Sequence, residues 1–241
     1  MRIEPPRRAR FDCAMRLLLL LGLLANFAAA AVPPALAAAL KNFRTDGPRG
    51  WSFTQTTVAD GRTRIERHDA GQPEFGRWTL VADAGKTPTD DEQRDYREKL
   101  TRRSSAGTAP RLTDQLDLST LQLVSTAAGR TTYRCRLKPG EQGDTSARFL
   151  AATLVLHEPT QTIESLELAS TGEFSPAFVV KIAEMKTTMT YSLPEGDRPS
   201  LLQKVTTHLR GRAFLVKSLD ADMTVTFSDY RRPALAPRGT K

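Results

Sequence analysis

Three histidines are the side chains of this sequence best suited to acid–base or metal chemistry, but their spacing predicts no site. His68, His157 and His208 lie within or at the end of segments that alternate like β-strands, and none is followed by a second ligand two or four residues later. A zinc site needs three or four converging ligands. We therefore expect the histidines at surface-facing polar positions, although ligands from separate strands could still converge.

Cys135 is the next candidate for reactivity, and its setting favours a structural role. It lies in the alternating segment Tyr133-Arg-Cys-Arg-Leu, with no histidine nearby in the sequence to activate it as a nucleophile. We interpret it as a small apolar residue on the buried face of a strand. The other cysteine, Cys13, precedes the apolar run of residues 17–32 and would be removed with it if that run is a cleaved leader, which leaves Cys135 without a disulfide partner in the chain.

Sequence motifs for nucleotide binding or ester cleavage are absent. The chain has no G-x-S-x-G elbow, no Walker loop and no G-x-G-x-x-G. The acidic pair Asp90-Asp91 fits a helix start, and Glu141 and Asp144 fit a loop. We expect a non-enzymatic protein with no cofactor and no metal. The alternative is an envelope hydrolase, which requires at least two of the histidines and nearby acids to share one cleft.

Large apolar residues at alternate positions point instead to binding, because they would share one face of a curved sheet. That face is either an ordinary core packed by helices or a cavity that holds acyl chains. Adaptable methionine side chains suit a variable apolar ligand. The candidate ligand-binding residues are Trp51, Phe53, Trp78, Leu154, Leu166, Leu168, Phe178, Ile182, Met185, Met189, Val205, Leu209, Phe214, Val225 and Phe227.

The start of the chain has the layout of a secretory signal peptide. Arginines precede the apolar run over residues 17–32, and Ala35-Leu36-Ala37 is an A-x-A cleavage signal. The run of about 16 residues is shorter than the ~20 that span a bilayer; an uncleaved anchor is the alternative. We expect residues 1–37 to be a signal peptide, with export to the periplasm after cleavage at Ala37, and we regard Met15 as the more conventional translation start.

Composition limits the class of partner. The 241 residues carry a formal net charge of +8, to which the arginines of the leader contribute. Because no basic stripe with interleaved aromatic residues is present, we do not expect nucleic acid as a partner. A weak attraction to anionic lipid head groups remains open.

We expect a single domain over residues 38–232, a disordered tail over residues 233–241, and a monomer that does not span the membrane once cleaved.

Strands are the main elements predicted to position these residues. Asp60-Gly61 is a strong hairpin turn between two alternating segments, and alternation is almost continuous over residues 131–230. A one-residue slip in the pattern of residues 178–191 predicts a β-bulge. We predict a mainly β (α+β) fold, as a single curved antiparallel sheet or half-open barrel with one or two helices as a lid.

One helix is clear from the sequence. Thr89 and Glu92 fit a capping box, which predicts a helix over residues 90–103 that is too polar to cover the apolar face. Residues 104–111 have the composition of a linker, and residues 112–124 are ambiguous between a helix and short strands. The role of residues 104–121 as lid, loop or linker stays open.

The chain resembles the superfamily of periplasmic lipoprotein carriers (the LolA/LolB-like group) and uncharacterised exported bacterial proteins. The likeness lies in the signal peptide, the first strand Trp51-Ser-Phe-Thr-Gln, the stretch Arg77-Trp-Thr-Leu-Val-Ala-Asp before an acidic helix start, and the ending Met223-Thr-Val-Thr-Phe-Ser-Asp-Tyr. No lipobox is present, unlike in the membrane-anchored receptor type. The resemblance implies a half-open barrel with a helical lid over an apolar concave face that accepts acyl chains.

Two functions are expected on these grounds. The first is a soluble exported protein that binds a lipid or a lipoprotein acyl chain in the apolar concave face. The second is an interaction module of the same fold with a filled core, which uses an edge strand or loop to bind an envelope protein.

Overall fold

The computed structural model of the protein describes residues 32–43, 45, 50–104, 112–139, 146–214 and 217–233. Most of the expected signal peptide, most of the expected linker, the acids Glu141 and Asp144, and nearly all of the expected tail lie outside the described residues. All helix and strand bounds refer to the described residues.

In the described residues, twelve strands form one antiparallel sheet in the spatial order β3-β2-β1-β12-β10-β9-β7-β6-β5-β4, with β8 beside β9 and β11 beside β10. The sheet is not closed into a barrel, because β3 and β4 form its two edges. The prediction of a mainly β fold built on one open antiparallel sheet is confirmed. The strands are β1 Ser52–Ala59, β2 Arg62–His68, β3 Trp78–Asp83, β4 Leu116–Ala127, β5 Arg130–Leu137, β6 Leu150–His157, β7 Thr162–Ser170, β8 Phe174–Ala177, β9 Val180–Tyr191, β10 Leu202–Ala213, β11 Lys217–Ser218 and β12 Ala221–Arg231.

Tight turns set the register of two hairpins. Asp60 and Gly61 have φ of 50° and 72°, so both central residues of the β1–β2 turn are left-handed, as a type I′ turn requires. Ala128 and Gly129 repeat this conformation between β4 and β5, with φ of 50° and 71°. The turn predicted at Asp60-Gly61 is confirmed.

A β-bulge interrupts the long β9–β10 pair where the sequence pattern slips. Arg210 pairs with Glu184, but the next residue, Gly211, pairs with Ile182, so Ala183 is the extra residue of β9. The bulge brings the two backbones close together: a Cβ on Gly211 would lie 2.7 Å from the carbonyl oxygen of Lys181. The predicted bulge is confirmed.

Three α-helices accompany the sheet in the part of the chain that the structure describes: α1 Pro34–Asn42, α2 Asp90–Ser104 and α3 Leu112–Gln115. The predicted capping box is present at the start of α2, where the backbone N–H of Thr89 donates to Glu92 Oε2 at 2.7 Å and the N–H of Glu92 donates to Thr89 Oγ1 at 3.3 Å. α2 contacts the edge strand β3 and buries Tyr96. The ambiguous residues 112–124 divide into α3 and the first part of β4. Among the described residues, no helix has the length and apolar character needed to cross a membrane.

Candidate functional site

One apolar row runs across five neighbouring strands and defines the inner face of the sheet. Val225 of β12 pairs with Val205 of β10, and Val205 pairs with Met189 of β9. Met189 pairs with Leu166 of β7, which pairs with Leu154 of β6. Directly paired residues point to the same side of a sheet, so these side chains share one face.

The register places most of the other predicted ligand-binding residues on the same inner face. Phe53 and Trp78 join it through His68, which pairs with both of them. Trp51 precedes β1. The remaining residues that the register assigns to the inner face are Leu168, Ile182, Met185, Leu209 and Phe227.

Phe178 and Phe214 do not lie on this face, which corrects the expectation from the sequence. β9 begins at Val180 and β10 ends at Ala213, so both phenylalanines lie in turns beyond the strand ends. Their exposed fractions are 104% and 68%. The sequence analysis carried the alternating apolar pattern of β9 and β10 past the strand ends. Side chains in a turn no longer follow the pleat of the strand.

Helix α1 covers part of the inner face and packs it as a core. Leu36 is fully buried, and Ala39, Leu40 and Phe43 are buried beside it. These four residues share one cluster with inner-face residues that include Leu154. Their spacing of three and four residues is that of one helical face. The sequence did not show α1 as a covering helix, because its first turn lies in the segment interpreted as a cleavage signal.

The expected cleavage point lies inside α1. Cleavage after Ala37 would remove Leu36, a fully buried side chain of the core cluster. Pro34 occupies the first turn of α1, a position where proline is well tolerated because its missing N–H has no partner there in any case. Pro34 and the spacing of Leu36, Leu40 and Phe43 are the sequence signals for this helix.

A cavity of about 630 Å³ opens beside α1 at one end of the sheet. This volume falls in the range of small-molecule sites, about 300–1,000 Å³. None of the described residues that line it is charged. The lining residues are Ala38, Ala39, Asn42, Phe43, Trp51, Thr160, Gln161, Thr162, Ile163, Tyr191, Pro194, Pro199, Ser200, Leu201 and Leu202.

Aromatic packing fixes the apolar wall of this cavity. The Phe43 and Tyr191 rings meet edge to face with centroids 4.9 Å apart. The Tyr191 hydroxyl lies 3.7 Å from the sulfur of Met189, which connects the wall to the apolar row. Of the residues predicted from the sequence, Trp51 lines the cavity directly, whereas Leu154 and Leu166 are buried in the core.

An aromatic cluster next to Trp51 holds the one histidine that is packed between rings. His68 stacks on Phe53 at 4.8 Å between centroids and meets Trp78 at 5.0 Å. Its Nδ1–H donates to the carbonyl oxygen of Trp51 at 3.1 Å. Burial lowers the pKa of His68, so its neutral form is favoured. The expected surface-facing position is therefore wrong for His68.

The other reactive side chains do not assemble into a site. The Nδ1 of His157 lies 2.8 Å from Thr160 Oγ1, and that of His208 lies 2.6 Å from Asp222 Oδ1. Within the described part of the chain, no three histidine, cysteine or acidic side chains are grouped as for a metal ion. Cys135 is buried on the inner face, as predicted, and burial raises the pKa of its thiol to about 11, which keeps the thiol protonated at neutral pH.

Comparisons of the chain with models of protein families, with curated protein sequences and with solved structures found no match. The resemblance to the lipoprotein carriers therefore stays a prediction from short segments of the sequence.

Proposed function

We propose that this is an exported, non-enzymatic protein that binds a lipid or a lipoprotein acyl chain in the cavity beside α1. The observation that carries the proposal is a cavity of about 630 Å³ beside α1 and one end of the sheet, in which none of the described lining residues is charged. The carrier resemblance implies the same arrangement, with a helix over an apolar surface. Location in the periplasm belongs to this proposal, as does removal of a signal peptide by a cleavage that leaves α1 intact, because cleavage after Ala37 would remove the buried Leu36.

The chemistry of the lining indicates how such a ligand would lie. Phe43, Trp51 and Leu202 offer an apolar wall, and each methylene group that leaves water against such a wall contributes ~0.8 kcal/mol. Thr160 and Ser200 are polar members of the same lining. An acyl chain with a neutral polar group at one end fits both features.

A cavity-filling substitution tests the site without placing a polar group in the core. Ala38 is exposed on α1 and lines the cavity, so Ala38→Trp would occupy the space that the acyl chain needs. Lys41→Trp is the matched control, because Lys41 is exposed on the same helix and does not line the cavity. We expect Ala38→Trp to abolish the fluorescence gain of an apolar probe, and Lys41→Trp to retain it. Equal binding by both variants would contradict the site.

A second candidate is an interaction module whose core is filled by α1. The complete burial of Leu36 favours it, because a packed helix leaves less of the inner face for a ligand. The edge strand β4 would then be the docking element, since its Leu123 and Val124 are both exposed. Failure of the wild-type protein to bind any apolar probe would favour this candidate over the first.

A further inference from the structure

Two neighbouring turns expose large apolar side chains at the end of the sheet opposite the cavity. Phe178 and Val179 form the turn between β8 and β9, and Phe214 begins the turn after β10. The exposed fractions are 104% for Phe178, 38% for Val179 and 68% for Phe214. We call these three residues the hairpin-tip patch.

The geometry of the sheet makes the patch a single surface. The backbone N–H of Phe214 donates to the carbonyl oxygen of Val179 at 2.8 Å, which ties the two turns together. The next residues inward, Ala213 and Val180, are paired in the sheet. The turns are therefore held side by side at the end of one strand pair.

The patch is supported from below by packed residues. Phe174 of β8 is buried and pairs with Ile182 of β9, and its ring stacks on Phe149 with centroids 5.8 Å apart. Because Phe174 and Ile182 already fill this small core, Phe178 is not needed to complete it. An exposed aromatic side chain on a supported turn is available to a partner.

Basic side chains flank the hairpin-tip patch. Arg212 and Lys217 are exposed on the strands that enter and leave the second turn, and within the described residues neither has a carboxylate partner. Lys181 is close to the first turn and pairs with Glu173 at 2.8 Å. Arg212 and Lys217 therefore place two positive charges, without a carboxylate partner among the described residues, beside the exposed phenylalanines.

We infer that the hairpin-tip patch docks this protein on an anionic lipid bilayer. Phenylalanine side chains can enter the boundary between lipid head groups and acyl chains, where the ring leaves water, and cations beside them meet the lipid phosphates. Two adjacent turns with protruding rings can enter that layer together while the sheet stays in water. The inference goes beyond acyl binding in the cavity and does not depend on it.

Vesicle flotation tests the inference directly. The purified protein is mixed with vesicles of phosphatidylcholine alone, or of equal parts phosphatidylcholine and phosphatidylglycerol. We expect binding to the anionic vesicles that weakens as salt is raised. The double variant Phe178→Ser/Phe214→Ser should bind at least about tenfold more weakly, because two large apolar side chains no longer leave water.

A matched control separates the patch from apolar exposure in general. Leu123 and Val124 on β4 are exposed to 65% and 57%, so Leu123→Ser/Val124→Ser removes a similar apolar surface elsewhere. This variant should float like the wild type, and Arg212→Gln/Lys217→Gln should lose the preference for phosphatidylglycerol. Circular dichroism confirms that each variant is folded.

Three results would overturn docking through the patch: no flotation of the wild type, equal flotation of the Phe178/Phe214 variant, or equal binding to neutral and anionic vesicles. The test also stands apart from acyl binding. Ala38→Trp should float normally even though its cavity is filled, so that failure of one proposal leaves the other intact.

Discussion

The two ends of the β9–β10 strand pair carry apolar side chains in opposite environments. At one end Tyr191 and Leu202 are buried beside α1 and help to line the cavity. At the other end, about 35 Å away along β9 at ~3.3 Å per residue, Phe178 and Phe214 stand in water. The same pair of strands therefore supports a covered end and a bare end.

The difference lies in the elements that pack beside each end of the strands. α1 brings Leu36 and Phe43 onto the inner face near the first end, so that aromatic rings there meet other rings. At the second end the described chain turns sharply and offers no comparable helix. The contrast shows that apolar side chains in the turns stay exposed where no element covers them, whereas Ile182 and Ala213 on the adjoining strands are buried. Substitutions at the two ends, at the bulge and at His68 test this contrast.

The largest effect is expected at the covered end. Leu36→Ala would leave a cavity beneath α1 and should lower the free energy of unfolding by about 3 kcal/mol, within the 2–5 kcal/mol typical of buried leucine. Urea unfolding followed by circular dichroism measures it. A change below about 1 kcal/mol would mean that α1 does not pack on the sheet.

Between the two ends, the bulge should tolerate no added side chain. Gly211→Ala would place its Cβ 2.7 Å from the Lys181 carbonyl oxygen, which should cost about 2 kcal/mol as the backbones separate. Gly172→Ala is the control, because a Cβ there meets no atom within 4 Å. Equal unfolding midpoints for the two variants would show that the strands are not this close.

A smaller effect is expected from His68, in the aromatic cluster next to Trp51. Burial lowers its pKa in the folded protein, whereas the unfolded chain takes up the proton near pH 6.5. The unfolded state therefore binds more protons below pH 6.5, so that stability falls as the pH drops through this value. His68→Gln should flatten the decline in melting temperature between pH 7 and 5.

The control for this pH dependence is His157→Gln, because His157 lies at the end of β6 and outside the aromatic cluster. The melting temperature of this variant should fall between pH 7 and 5 as much as that of the wild type. If the melting temperatures of the two variants fell equally over this range, His68 would not be the group whose protonation opposes folding.

The smallest effect on stability is expected at the bare end. Phe178→Ser and Phe214→Ser should each change the free energy of unfolding by less than about 0.5 kcal/mol, as for other exposed positions. Thermal unfolding of each variant measures this. A loss of 2 kcal/mol or more would mean that these rings pack against the protein, and it would remove the contrast between the two ends.

Much of the sheet could be predicted because strand alternation is a local property. The shared face of Val205 and Met189 and the bulge at Ala183 reflect which residues are apolar along each strand. The capping box of Thr89 and Glu92 is equally local. The four-residue strand β8 was missed because so few residues carry little of a pattern.

The sequence predictions were wrong where the same residues fit two different structural interpretations. Leu36 fits both a cleavage signal and a helical core position, and only the packing against the sheet shows the second. Phe178 and Phe214 continue an apolar pattern past the strand end, which alternation alone does not mark. His68 is a polar residue on a strand, and its half-buried position depends on rings from β1 and β3. The cavity residues Tyr191 and Leu202 were likewise identifiable only after the strands were paired.

Native mass spectrometry of the protein purified without detergent tests the central claim most directly. Acyl binding in the cavity beside α1 predicts an added mass, such as that of a phospholipid or an acyl chain, that organic extraction removes. Ala38→Trp should lack that mass, whereas Lys41→Trp should keep it. A wild-type protein that shows only its own mass and binds no apolar probe would contradict the account and favour the filled-core interaction module.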